Sequence, residues 1–447
     1  NMKRQMKKII TFIVLALMVG SGLSAFAEEP IQEVETPQVL PGSFWYPFKT
    51  FGENIRTFFT FNSEAKLERH QFLSEKRLAE LEAIMEKAPQ LIDRAADNYQ
   101  RQQEKLAQAL NRVVQRGPEE EELIDRLEDS MGQHLEKLES LKEQVPTEAQ
   151  AALERARSAA QQGQIKAIEA ISNWQPDEAF NRYKDLMTER LDRLEQVAEL
   201  DNEEAESILG QWRVYNEALR RMSKSRAEIS DQVNAWQAQA LERLDALEDR
   251  FQGMEQFREH LRDACSEAVD TQVEALRKIR EENRWAEVEN DFSETALRRI
   301  ERLRERVQEM DQDCPEEDQA ECLNERRRMV ESLSQEYQKY MTLGEEIIQQ
   351  DWDNLSVEGH DTLSQASQEA IQTLESVYDV APEEARPSLD QAITAAERLR
   401  HLNNQAFEIG NQLGEPMSDN PSIERVQERA RQEMAPQLEV IKNRLGQ

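Results

Sequence analysis

Apolar residues recur three and four apart along most of the chain. Ile124, Leu127, Met131, His134, Leu138, Leu141 and Val145 form one such series. Ala296, Ile300, Leu303, Val307 and Met310 form a second, and Ala370, Leu374, Val377 and Ala381 a third. This spacing puts each series on one stripe of a helix, with acids and bases on the other side. Pro118, Pro146, Pro176, Pro315 and Pro382 each stand just before acidic residues. A proline in the first turn costs no hydrogen bond, and acids there suit the positive end of the helix dipole, so these positions predict helix starts. Gly117 is placed to end the helix before Pro118. No proline lies between Pro176 and Pro315, which predicts helices of about thirty residues or more there. The fold expected is all-α: tandem long helical hairpins or bundles, coiled-coil-like in their seams.

One stretch breaks this polar, stripe-by-stripe pattern. Residues 40–61 hold Phe44, Trp45, Tyr46, Phe48, Phe51, Phe58, Phe59 and Phe61, eight of the chain's 27 aromatics. Phe48, Phe51, Ile55 and Phe58 fall on one face of a short helix that Tyr46-Pro47 would start. Lys49, Glu53, Asn54 and Arg56 fall on the other. Asn62 or Ser63 can cap the next helix. The expected role is an N-terminal aromatic cap over the open end of the first helical unit, since a terminal repeat has no neighbour to cover it. Phe44, Trp45, Tyr46, Phe48, Phe51 and Phe58 carry that role. A partner-docking patch, or a bilayer interface, is the less favoured use of the same residues.

The helices repeat. Leu138-Glu-Ser-Leu-Lys-Glu-Gln-Val-Pro-Thr-Glu-Ala149 matches Leu374-Glu-Ser-Val-Tyr-Asp-Val-Ala-Pro-Glu-Glu-Ala385, continuing through Leu153 with Leu389 and Ala156 with Ala392. Arg77-Leu78, Arg190-Leu191 and Arg302-Leu303 recur at steps of 113 and 112 residues, each ten residues after an anchor: Leu67, Phe180 or Phe292. Phe61, Trp174 and Trp285 precede the anchors by six or seven residues and are expected to seal junctions between units. The organisation expected is a targeting segment at 1–27, an acidic linker at 28–38, a cap helix at 39–60, helical units at 61–173, 174–284 and 285–402, and a C-terminal helix at 403–447.

Composition sharpens this picture. Lys3, Arg4, Lys7 and Lys8, then the apolar run Ile9 to Val19, then Ala25-Phe-Ala27 read as a secretory signal peptide cleaved after Ala27. The run is shorter than the roughly 20 residues that span a bilayer. The chain is expected to be exported, periplasmic or extracellular. Loss of the four bases takes the formal charge from −33 to −37. So acidic a surface disfavours nucleic acid and anionic membrane. In an oxidising compartment Cys314 and Cys322, flanking an acidic segment, are candidates for a disulfide that staples an insertion in the third unit, and Cys265 is left as a buried small hydrophobe.

Leu40-Pro41-Gly-Ser43, Tyr46, Lys49, Glu53, Phe58-Phe59-Thr60-Phe61-Asn62, Lys66 and Arg77-Leu78-Ala79-Glu80 resemble an uncharacterised family of exported bacterial and archaeal proteins. In that family a signal peptide leads to a Leu-Pro-x-Ser entry, a Lys-x-x-x-Glu helix, an aromatic-Thr-aromatic turn and helical hairpins. The resemblance implies export and a helical fold over about residues 39–160, and names no activity.

The chemistry-bearing patterns of metalloproteases, serine hydrolases and phosphate-binding loops do not occur. His70, His134, His260, His360 and His401 form no ligand spacing. Asp311-Gln-Asp-Cys-Pro-Glu-Glu-Asp318 lacks the glycine and register of an EF-hand loop. The expectation is therefore no enzyme, no metal and no cofactor. The function expected is a helical scaffold or binding protein of the cell envelope with a protein partner. The alternative is a periplasmic chaperone clasping clients in apolar helix grooves; the pattern sets no oligomeric state.

Overall fold

The computed structural model describes residues 37–413, apart from 118–120, 143–146, 197–201, 252–253, 283, 285–288, 314–318 and 352–356. Among the described residues there are thirteen α-helices and no strand. The fold is all-α, as the stripes predict. The chain divides into two compact units, before and after Ala167.

The first unit begins with α1 (Tyr46–Phe58), followed by α2 (Ser63–Lys87), α3 (Ile92–Val114), α4 (Glu121–Lys142) and α5 (Thr147–Ile171). Asn62 caps α2 by accepting the Glu64 N–H at 3.1 Å. Gly117 has a left-handed φ of 132° just beyond α3, the conformation a helix-ending glycine supplies. The core joins Leu78, Leu81 and Ile84 of α2 to Tyr99 of α3, Leu135, Leu138 and Leu141 of α4, and Ala149, Ala152, Leu153, Ala156 and Ala160 of α5. Alanines on α5 let large side chains of the facing helices fill the space between, so the layers interdigitate. Each buried leucine contributes on the order of 2 kcal/mol.

Polar rungs cross this core. Tyr99 Oη and His134 Nδ1 are 2.8 Å apart, Gln102 reaches the His70 carbonyl at 2.9 Å, and Gln103 donates to Ser74 at 2.7 Å. Burial first, then the nearby Lys137, lowers the His134 pKa to about 3. Burial, then Lys105 and Lys66, lowers that of His70 to about 4. Both are neutral core histidines.

The second unit contains α6 (Pro176–Gln196), α7 (Asn202–Ser225), α8 (Ser230–Arg250), α9 (Glu255–Glu281), α10 (Glu289–Asp313), α11 (Gln319–Asp351), α12 (Val357–Tyr378) and α13 (Arg386–Leu413). Helix α9 is its centre and packs against α7, α8 and α11. Trp212, Tyr183, Tyr215 and Phe257 fill one part of the core, and Phe292, Tyr337 and Tyr340 another. Ion pairs lace neighbouring helices: Arg277 to Glu346 at 3.0 Å, Arg243 to Asp192 at 2.6 Å, and Arg299 between Asp245 and Glu336.

Two expectations about element length are corrected. Among the described residues between Pro176 and Pro315 the longest helix is α9 with 27 residues, and none reaches thirty. Arg226 takes an extended conformation before a short 3-10 turn at Ala227–Ile229, so the chain reverses there without a proline. Gly210 sits inside α7 and does not interrupt it. The helix of 33 residues is α11, which follows Pro315. The terminal helix expected to start at 403 is instead part of α13: Leu399, Leu402 and Ala406 are all buried, so the apolar stripe continues across that boundary. Residues 414–447 lie outside the described residues.

The repeat has a physical basis. Leu67, Phe180 and Phe292 are buried near the starts of α2, α6 and α10. Leu138 with Leu374, Ala149 with Ala385, and Leu153 with Leu389 are buried at matching places in the hairpins α4–α5 and α12–α13. The chain is a helical repeat in which the same positions meet the same kind of interior.

Candidate functional site

The entry to the first unit is a tight turn. Ser43 N–H donates to the Leu40 carbonyl at 3.1 Å, with Pro41 and Gly42 between them and Gly42 at φ 95°. Proline second and a left-handed glycine third make the pattern of a type II turn. A Cβ on Gly42 would also stand 2.6 Å from Leu91 Cδ1, which packs against the core. The glycine is needed twice, for its φ and for the close approach.

The turn delivers Tyr46, the only buried aromatic of the stretch, at 5% exposure. Its hydroxyl donates to Glu80 Oε2 at 2.7 Å and accepts from Asn98 Nδ2 at 3.1 Å. Burial, and then the nearby carboxylates, raise its pKa far above the usual phenol range. Lys49 Nζ donates to Glu80 Oε1 at 2.6 Å and to the Val39 carbonyl at 2.9 Å. Arg77 donates to Glu80 Oε1 at 2.6 Å and also pairs with Glu53, while Lys76 reaches Glu53 Oε1 at 2.7 Å. Burial alone would raise the Glu53 pKa; Arg77 and Lys76 outweigh it and hold the carboxyl below its usual range. The Lys49 ammonium and the Arg77 guanidinium also approach the Tyr46 ring, at 5.6 and 5.8 Å. Three bases, two carboxylates and a phenol therefore satisfy one another in a nearly closed cluster.

This cluster fixes which side of α1 faces inward. Tyr46, Glu53 and Thr57 are the buried residues of α1. At 100° per residue they lie on one side of the helix, and Phe48, Phe51, Ile55 and Phe58 lie opposite. Those four are exposed, with Phe51 at 61% and Phe58 at 72%, as are Phe44, Trp45 (62%), Phe59 and Phe61 (85%). Edge-on ring contacts such as Phe44 with Trp45 at 5.3 Å and Phe58 with Phe59 at 5.5 Å hold the aromatics against one another. The helix is mounted with its polar face in and its apolar face out.

That arrangement corrects the cap expectation. Of Phe44, Trp45, Tyr46, Phe48, Phe51 and Phe58, only Tyr46 folds back onto the first unit. The reason lies in α2, which presents Lys76, Arg77 and Glu80 to α1. An apolar face laid there would strip three charges of water, leave Arg77 and Glu80 only each other, and give Lys76 no carboxylate from α1. Phe61 does not seal a junction either, being the most exposed aromatic of the group. Trp174 is half-buried at the turn before α6, its backbone N–H donating to the Ile171 carbonyl at 3.0 Å. Trp285 lies outside the described residues. So do Cys314 and the side chain of Cys322. Cys265 is buried, and burial followed by the Asp245 carboxylate pushes its thiol well up, leaving it unreactive.

The residues that gather here were visible in the sequence as a motif but not as a cluster. Tyr46, Lys49, Glu53, Arg77 and Glu80 all carry the family resemblance, and the fold brings them into direct contact. The signal that could have paired them was local: Arg77 and Glu80 are three apart on α2, while Tyr46, Lys49 and Glu53 are three and four apart on α1. Gly42, the third position of the Leu-Pro-x-Ser entry, is the residue that makes the entry turn. Among the described residues, no group of three or more His, Cys, Asp or Glu side chains could hold a metal. No described helix is long and apolar enough to cross a membrane.

No curated protein matches the chain. A solved structure described as a circular tandem repeat protein with novel repeat topology and enhanced subunit contact surfaces is similar over 81% of this chain and 90% of its own, at 12% identity and a TM-score of 0.37. Residues 38–177, which take in the entry turn, the clamped helix α1 and α2 to α5, match the family described as a domain of unknown function (DUF5667).

Proposed function

We propose that the protein is an exported, non-enzymatic helical-repeat scaffold of the cell envelope, cleaved after Ala27, that binds through the outward face of α1. The observation that carries this reading is the rigid mounting of a solvent-facing aromatic surface. A stretch that merely failed to pack would not be held by a buried hydrogen-bonded ion cluster, which is costly to assemble. At about 200 Å² per aromatic side chain, the seven exposed rings and Ile55 present on the order of 1,000 Å². That exceeds the roughly 300–600 Å² of the largest patch on an ordinary monomer, and such patches mark interaction sites. The basic n-region, the apolar run and Ala25-Phe-Ala27 support export. Units beginning near 61, 174 and 285 remain part of the proposal.

The chaperone alternative requires open apolar grooves. Two clefts carry many charged side chains instead: one is lined by Asp361, Gln365, Glu397, Arg400 and His401, and another by Glu242, Asp245, Arg298 and Arg302 beside Ala238 and Leu241. This favours the scaffold.

The test is photo-crosslinking in expressing cells, with the crosslinking amino acid at Phe51 or, as a control, at the exposed Gln108 of α3, together with fractionation. The expected result is a discrete adduct, with protein or with lipid, from position 51 only, in the exported fraction. Adducts at both positions or at neither, or a chain retained in the cytoplasm, would sink the proposal.

A further inference from the structure

We propose that the outward face of α1 is a bilayer-interface surface, and that its ligand is a neutral, zwitterionic lipid surface. This inference rests on the reading of α1 as a binding face and names what covers it.

The charge distribution is the first argument. The chain carries 89 acids and 56 bases, yet residues 38–62 contain a single acid, Glu53, and two bases, Lys49 and Arg56. Glu53 and Lys49 are turned into the clamp. The outer side of α1 therefore offers no carboxylate and one exposed base, Arg56, beside seven aromatics and Ile55. In a chain this acidic, a face cleared of carboxylates suits insertion among lipid headgroups, where a buried carboxylate would be expensive. Trp45 and the phenylalanines are the amphipathic and apolar types that occupy that layer.

Shape is the second argument. The exposed face is the convex side of one helix of 13 residues, about 20 Å long. A convex aromatic ridge needs either a groove or a medium that closes around it. Clefts that a second copy would offer carry charged and amide side chains, as in the one lined by Glu345, Asp390, Gln391 and Arg398. Two copies would also bring together chains of −33 each. A fluid interface conforms to the ridge and covers all eight side chains.

The position of the face along the chain is the third. Phe44 lies 17 residues after Ala27, within about 60 Å of extended chain. Until cleavage after Ala27, the apolar run Ile9 to Val19 would thus hold α1 near a membrane surface.

The experiment uses the full chain with vesicles of phosphatidylcholine, alone or mixed with phosphatidylglycerol, and with lipids brominated on their acyl chains. The expected result is binding to phosphatidylcholine that phosphatidylglycerol does not strengthen. F48S/F51S/F58S should weaken it by roughly tenfold or more. Part of the tryptophan fluorescence should be quenched by bromine, and that part should vanish in W45F. These sites are exposed, so the circular dichroism and melting point of the variants should match the parent, which separates lost binding from lost folding. If the triple variant bound like the parent and Trp45 stayed unquenched, the N-terminal segment alone would hold the chain and the inference would fail. Absence of vesicle binding, with a concentration-dependent dimer that the triple variant abolishes, would overturn the bilayer in favour of a second copy and leave the binding-face reading intact.

Discussion

Arg77 and Arg190 stand at the same step of the repeat, each ten residues after a buried anchor, and both are buried. Their surroundings differ. On the neighbouring helix Arg190 meets a neutral acceptor, Gln211 of α7, at 2.7 Å, and its carboxylate partner is the exposed Glu189 beside it, at 2.6 Å. Helix α7 turns its apolar residues inward, burying Ile208, Trp212, Tyr215 and Leu219. Arg77 meets carboxylates, Glu53 of α1 and Glu80 of its own helix, and α1 turns its apolar residues outward. One arginine position thus supports two opposite mountings. What the neighbouring helix brings to it, an amide or a carboxylate, decides which face is buried. A polar clamp can hold an amphipathic helix the wrong way round if enough charges satisfy one another, and the apolar face is then displayed.

The largest effect should come from breaking the clamp. Arg77→Ala leaves Glu53 and Glu80 sharing one side of a buried cluster and should destabilise the first unit by about 3–5 kcal/mol. Arg190→Ala removes a charge-assisted bond to a neutral amide and a solvent-exposed pair with Glu189, and should cost about 1.5–3 kcal/mol. Chemical denaturation of the two variants checks the order. Equal losses would mean that the clamp is not the special feature of the first unit.

Acidification should distinguish the two units next. His70 and His134 of the first unit have folded pKa values of about 4 and about 3 against an ordinary value of 6.5. Between pH 6.5 and 4 the unfolded chain accepts protons that the folded one refuses, so stability falls as pH falls. At full effect the loss is on the order of 3 kcal/mol per histidine. Glu53, held below its ordinary 4.5, contributes stability above that pH and loses it below, in the same direction. Thermal melting across pH 7 to 4 should show the first unit weakening, and His134→Gln should flatten the curve between 6.5 and 4.

Gly42→Ala should cost about 1–2 kcal/mol, from the left-handed φ and the crowding against Leu91. The loss should be local. Amide exchange in α1 should quicken while that of α3 stays as it was.

The smallest effect on stability should come from the aromatic face itself. Phe48→Ser and Phe51→Ser remove exposed rings and should change stability by no more than about 0.5 kcal/mol, while the binding of a hydrophobic dye falls sharply. A large stability loss would mean that these rings are packed and would erase the contrast with α7.

Much of the fold was legible. The three-four spacing of Ile124 to Leu141, of Ala296 and Ile300, and of Ala370 to Val377 fixed helices and their buried sides, because a helix has one face per stripe. The match between Leu138–Ala149 and Leu374–Ala385 identified equivalent hairpins, because equal patterns bury equal residues. Chain reversals without proline, as at Arg226, left no composition signal, and α13 runs on past its expected boundary because its stripe does.

The candidate site was legible in its parts only. Periodicity separated Phe48, Phe51, Ile55 and Phe58 from Lys49 and Glu53, and so determined that α1 has two faces. It assigned the apolar one to the interior by the usual rule that water expels apolar surface. Which face is buried was decided by what α2 brings opposite. Lys76, Arg77 and Glu80 lie 23 to 27 residues beyond Glu53, and a buried charge accepts only a partner that neutralises it. That is a property of the pair of helices, and neither helix carries it alone.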